Sequence, residues 1–128
     1  MKILAMENST MSAKAMLYNT DTGKSSVMTK RYEEMHSDTT LHDPEAVFQK
    51  MMEVGRICSA GQKIDMIALS GTWHSVGLFQ QDFTPVTPIY LWSNTEASKI
   101  SRKYREDKAF AKRYYEMTGC MLKAQYPY

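Results

Sequence analysis

Apolar residues along this chain of 128 residues fall alternately into short runs that suit strands and into three-and-four spacing that suits helices. Lys2–Met6 predicts a first strand, and Ala13–Tyr18 a second, after the polar link Glu7-Asn8-Ser9-Thr10. Asn19-Thr20-Asp21-Thr22-Gly23 is a turn that closes a hairpin, and Lys24–Tyr32 continues as a third strand. The period then changes. Asp43-Pro44-Glu45 is a helix start, because the aspartate side chain accepts orphan amide protons and proline loses nothing in the first turn. Behind it Val47, Phe48, Met51, Met52, Gly55 and Cys58 paint one apolar face until Ser59-Ala60-Gly61 ends the helix. The run Ile64-Asp65-Met66-Ile67-Ala68-Leu69 returns to strand character. A crossover helix should deliver it parallel to the first strand, and its continuous apolar content suggests a central place in the sheet.

Further on, Val76–Phe79 predicts another short strand, and Gln81–Pro85 a turn. Pro85 and Pro88 confine any strand in Ile89-Tyr90-Leu91-Trp92 to its last few residues. From about Asn94 the spacing is helical, with Ile100 and Tyr104 on one side of a basic segment. Asp107 is the expected cap of a second helix carrying Phe110, Ala111, Tyr114, Tyr115 and Met117, with Gly119 as its stop. The rings should face inward and the basic residues outward. Ala124-Gln125-Tyr126-Pro127-Tyr128 is aromatic for a tail, so it should dock. The whole pattern is α/β, with room for one domain and one modest core.

Composition changes this picture little. Sixteen basic and 14 acidic side chains give a formal charge of +2, too small a field to direct binding to nucleic acid or anionic lipid. Lys99, Arg102, Lys103, Arg105, Lys108, Lys112 and Arg113 crowd the last third, interleaved with rings, but helical spacing separates charges from rings. Cys58 and Cys120 match no metal-ligand spacing and read as reduced thiols of a cytoplasmic protein. No run has the form of a signal peptide or of a membrane span. The 11 methionines fill core-like positions such as Met51, Met52 and Met66.

Candidate chemistry sits in three loops that follow strands: Glu7–Ser12, Ser70–Ser75 and Trp92–Glu96. In a largely parallel sheet such loops converge at the carboxyl ends of the strands. A carboxylate, an imidazole, an indole and several hydroxyls would then share one cleft.

The order of these segments resembles the amino-terminal portion of the xylulose, gluconate and glycerol (FGGY-type) carbohydrate kinases. That family opens with a strand, an Asp-Ile-Gly-Thr-like loop and a Ser-Thr-Lys-Ala strand, mirrored by Glu7-Asn8-Ser9-Thr10-Met11-Ser12-Ala13-Lys14-Ala15. Its Ser-Gly-Gln-Met-His-Gly loop is similar to Ser70-Gly71-Thr72-Trp73-His74-Ser75, and its Leu-Trp-Asn-Asp-Arg-like motif to Leu91-Trp92-Ser93-Asn94-Thr95-Glu96. A Thr-Gly-x-x-Leu segment is matched by Thr118-Gly119-Cys120-Met121-Leu122. The order and spacing are specific together, though no single motif is.

The resemblance implies a ribonuclease-H-like, actin-like sheet and transfer of the γ-phosphate of ATP, with magnesium, onto a sugar or polyol hydroxyl. It implies that Glu7, Ser9, Thr10 and Lys14 lie near phosphate and magnesium, with Glu7 the metal-side carboxylate. It places Thr72, Trp73, His74, Trp92 and Gln125 around the sugar. Taken alone, Lys14 is a surface residue of a strand, and Trp73 is better suited to packing than to a pocket wall. His36 and His42 take no role. The chain departs from the family pattern at Glu7, Ser9, Thr72, Ser75, Asn94 and Glu96. Glu7 is one methylene longer than the aspartate it replaces, and Ser9 occupies space that glycine leaves for a phosphate. No residue is assigned as catalytic. The family is far longer than this chain, so the expectation is an amino-terminal part of a kinase domain, inactive alone and lacking the nucleotide-binding domain. Its partner would be a sugar or polyol, together with the remainder of the kinase or a second copy. A non-catalytic sugar-binding or self-associating module is the alternative.

Overall fold

The first two strands form because residues at alternate positions share one face. Leu4 and Met6 on β1 (Lys2–Asn8) and Ala13, Ala15 and Leu17 on β2 (Ser12–Asn19) are all buried, while their neighbours are more accessible. These elements belong to a computed structural model that describes residues 1–32 and 38–126. β1 and β2 pair antiparallel, and β3 (Ser25–Arg31) pairs antiparallel with β2. After the two-residue strand β4 (Leu41–His42), α1 (Pro44–Ser59) crosses to β5 (Met66–Ser70), which runs parallel to β1. The order β3-β2-β1-β5 gives a mixed four-stranded sheet.

The cap of α1 is as expected: Asp43 Oδ1 accepts from the Ala46 amide at 3.0 Å, and Pro44 sits in the first turn. Ala60, in the left-handed region at φ 47°, ends it. α1 lies on the Leu4, Met6 face of the sheet, where Val54 and Cys58 complete a core with Ala13, Ala15 and Leu17. The two alanines and Gly55 allow the helix to approach closely. A Cβ on Gly55 would stand 3.0 Å from Met6 Cε. At the rim, Glu53 pairs with Lys30 of β3 and, at 3.2 Å, with Lys50, and these bonds hold its carboxyl below the usual range.

Two strand expectations change. Every residue of β5 is exposed, with Ile67 at 60% and Leu69 at 77%, and β5 is the edge of the four-stranded sheet, not its centre. An apolar run reports what a strand is suited to be covered by, and cannot report whether the cover lies within the same stretch of chain. Val76–Phe79 forms no strand. Val76 and Phe79 make isolated bridges to Tyr90 and Pro85, and the Leu78 amide donates to Thr87 Oγ1 at 3.0 Å instead of to a ladder partner.

The chain divides into two units, Met1–Thr72 and Trp73–Tyr128. The second holds the two-residue strand β6 (Ile89–Tyr90), α2 (Ser98–Glu106) and α3 (Lys108–Thr118). Asp107 Oδ1 caps α3 by accepting from Phe110 N at 2.9 Å, and Gly119 closes it at φ 69°. The inward packing expected of its rings is not found. No residue of α3 is fully buried, Tyr115 and Met117 are exposed, and Phe110 stacks on Tyr104 with Arg113 over its ring at 5.7 Å. Cys58 is buried and Cys120 exposed, both as free thiols. No helix among the described residues is long and apolar enough to cross a membrane.

Candidate functional site

In the first unit the candidate residues gather where β1 ends. Glu7 and Lys14 are register partners across the β1–β2 ladder, and Lys14 Nζ donates to Glu7 Oε2 at 3.2 Å. Both are nearly half exposed, so the pair contributes at most about 1 kcal/mol. Ser9 closes the turn. Its hydroxyl donates to the Ser12 carbonyl at 2.9 Å and accepts from the Ser12 amide at 3.2 Å. Thr72 Oγ1 donates to the Asn8 carbonyl at 2.8 Å, tying the loop after β5 to the end of β1.

A brace behind this loop escaped the sequence reading. Tyr32 Oη donates to Asn8 Oδ1 at 2.5 Å, and its ring meets the buried His42 ring edge-on at 5.1 Å. His42 in turn donates to the Thr10 backbone carbonyl. Burial pushes the Tyr32 hydroxyl up to about 12. Burial also holds His42 below the ordinary imidazole value, outweighing the opposing pull of the Thr10 carbonyl. His36 lies outside the described residues.

The lowered His42 value has a consequence for stability. In the unfolded chain the ring titrates near its ordinary value of about 6.5, so below that pH the unfolded state binds more protons than the folded one. Stability is therefore full above about pH 7 and declines as pH falls through about 6.5 toward the lowered folded value. Thermal melts from about pH 7.5 to 5.5 should show a falling midpoint, with a shallower fall in His42→Gln.

The loop offers little to a magnesium ion. Its one carboxylate is engaged by Lys14, its serine hydroxyl is engaged by Ser12, and no group of three or more His, Cys, Asp or Glu among the described residues could hold a metal ion. The residues as arranged do not fit a resident magnesium.

The second unit carries a cleft of about 390 Å³. His74, Tyr90, Asn94, Glu96, Gln125 and Tyr126 are among its polar lining residues, and Val76, Leu91 and Ile100 among its apolar ones. His74 is held by an aromatic stack, with Trp73 at 5.1 Å on centroids and Tyr126 at 4.3 Å. Its backbone is left-handed at φ 59°, a conformation that costs a non-glycine residue about 1 kcal/mol or more. Beside it the Ser75 hydroxyl is buried with no partner among the described residues. Asn94, only 8% exposed, has its Oδ1 accepting from the Glu96 amide at 3.0 Å while its Nδ2 donates to Glu96 Oε1 at 3.4 Å.

The expected sugar-side residues thus divide. His74 and Gln125 line the cleft, and Trp73 backs His74 while itself 79% exposed. Trp92 is half exposed and does not line the cleft, and Thr72 belongs to the first unit. Glu96 and Asn94 had appeared only as departures from a pattern, and Tyr126 only as part of an aromatic tail expected to dock. Pro127 and Tyr128 lie outside the described residues.

A lining that combines an imidazole held in an aromatic stack, amide, carboxylate and phenol groups, and apolar side chains can grip a small polyhydroxylated molecule. Comparison with known proteins gives the family. The model of the N-terminal domain of the FGGY family of carbohydrate kinases matches residues 2–128. No curated protein matches the chain. Among solved structures, gluconate kinase from Lactobacillus acidophilus is 23% identical with a TM-score of 0.83, covering 97% of this chain and 26% of that one. Ligand-bound xylulose kinase from the same organism is also 23% identical, TM-score 0.76, over 90% of this chain and 24% of that one. Glycerol kinase from Plasmodium falciparum with ADP is 15% identical, TM-score 0.82, over 98% of this chain and 26% of that one. At these identities the likeness shows the fold, and the chain spans about a quarter of each kinase. With the model of the N-terminal domain matched over residues 2–128, the chain belongs to the FGGY family of carbohydrate kinases.

Proposed function

We propose that the chain is the amino-terminal, sugar-recognising part of a cytoplasmic ATP-dependent kinase that phosphorylates a sugar or polyol hydroxyl, of the xylulose or gluconate kinase kind. Alone it does not catalyse the transfer. On this reading residues 1–128 are a partial actin-like domain, and the nucleotide-binding domain lies outside them. The observation that carries the reading is the cleft at His74, whose ring is fixed between Trp73 and Tyr126 while Gln125, Asn94 and Glu96 offer donors and acceptors at sugar size. ATP and magnesium belong to the parent kinase. Tight binding of either to this chain is not expected, because Glu7 and Ser9 are already engaged within the sheet and its turn.

Titration of xylulose, gluconate and glycerol into the chain tests this. Saturable binding of at least one at millimolar level is the expected result, and no binding of any would contradict it.

The exposed edge at β5 favours a second reading, association of the chain through that strand. Met66-Ile67-Ala68-Leu69-Ser70 has no charge, proline or bulge to discourage pairing. Sedimentation equilibrium would support it by showing a dimer that Ile67→Lys dissociates, whereas a monomer at high concentration would end it.

A further inference from the structure

The cleft of the second unit carries a sign. Glu96 is the carboxylate on its wall, and no lysine or arginine is among the described residues lining it. The carboxylate is not left to wander, since the buried Asn94 holds both the Glu96 amide and its Oε1. Lys123 Nζ is placed over the Tyr126 ring, 5.6 Å from its centroid, and Lys123 does not line the cleft.

Such a wall has opposite consequences for ligands of the same shape and different charge. A neutral polyol can donate one or two hydroxyl protons to Glu96, each a charge-assisted hydrogen bond. An ammonium at the same place donates and is attracted. A carboxylate there has no proton to give, and it meets a like charge. At about 4 Å that repulsion is about 1 kcal/mol, about fivefold in affinity, if the cleft behaves as water, and far more if it is partly desolvated. Glu96 is itself accessible to solvent, which places the effect toward the lower figure and makes it sensitive to salt.

We infer that the cleft takes neutral or cationic polyhydroxylated ligands and rejects aldonates, with Glu96 as the residue that discriminates. This rests on the sugar-binding reading above and goes further. It separates the chain from the gluconate kinase whose fold it shares, since the acid group of gluconate is what the wall disfavours.

Three ligands matched in chain length and hydroxyl pattern isolate the charge: sorbitol, gluconate and 1-amino-1-deoxysorbitol. Their affinities for the chain, measured at about pH 8 and low ionic strength, should rank amino sugar alcohol at or above sorbitol, and sorbitol about fivefold or more above gluconate. Raising salt to about 0.5 M should narrow the gap, because screening acts on the repulsion and not on the hydroxyl contacts. In Glu96→Gln the gap between sorbitol and gluconate should close to within about twofold, since the amide keeps an acceptor and loses the charge. Equal binding of gluconate and sorbitol to the unaltered chain would overturn the inference, as would a gap that persists in a folded Glu96→Gln. Binding without discrimination leaves the sugar-site reading standing and this one refuted, whereas no binding by any of the three, or by xylulose, refutes both. The salt series needs no variant, so an unfolded Glu96→Gln does not shield the inference.

Discussion

Val54→Asp unfolds the first unit. Val54 is 0% exposed, within the cluster formed by Leu4, Met6, Ala13, Ala15, Leu17 and Cys58, and all of these side chains are apolar or weakly polar. A carboxylate there must shed its hydration, take up a proton, or lever α1 away from the sheet. Helix retreat is unfavourable because the contact is tight, with Gly55 seated against Met6 and Leu4 in the next position. The cost is several kcal/mol against a total stability of about 5–15 kcal/mol, and a unit built on one helix against a four-stranded sheet has little to spare. Far-ultraviolet circular dichroism at 25 °C should show loss of the signal that α1 and the four-stranded sheet contribute. Val54→Ala, which removes two methyl groups without adding a charge, should fold with a loss of about 2 kcal/mol. A Val54→Asp chain that melts within a few degrees of the unaltered one would show that α1 does not cover the Leu4 and Met6 face as described.

His74→Gly separates fold from recognition. The substitution relieves a left-handed backbone at φ 59°, a gain of about 1 kcal/mol. It also removes a ring stacked between Trp73 and Tyr126, a loss of similar size. Stability should change by less than about 1 kcal/mol as the two offset. Sugar affinity should fall by at least about tenfold, because the imidazole lines the cleft and Tyr126 loses the ring that positions it. Parallel thermal melts and sugar titrations check both halves. Unchanged affinity in the glycine variant would mean that the strained loop serves packing alone.

The order of strands and helices was legible because each boundary carries local chemistry. Asn19–Gly23 closes the hairpin, Asp43 and Pro44 open α1, Asp107 caps α3 and Gly119 stops it, and each acts within a few residues. What was not legible depends on distant partners. The apolar run of β5 reads as a centre and stands at an edge, and of the rings of α3, which read as inward, Phe110 and Tyr114 are only half-buried and Tyr115 is exposed. Of the residues lining the cleft, His74 belongs to a loop that the order of motifs singled out, and Gln125 to a segment that the resemblance alone brought forward. The use of Glu7 and Ser9 within the turn was not legible, since it follows from the pairing of β1 with β2. His42 gave no local signal for its bond to Thr10, as the two meet only when the chain folds back.

The central claim is that this chain holds a sugar-recognising cleft at His74. The most direct measurement is a titration of xylulose and sorbitol into isotopically labelled chain, followed residue by residue through amide chemical shifts. The claim predicts saturable shifts at His74, Val76, Asn94, Gln125 and Tyr126, with Val27 and Met28 of β3 unmoved. An absence of shifts at saturating sugar, or shifts confined to the sheet of the first unit, would contradict it.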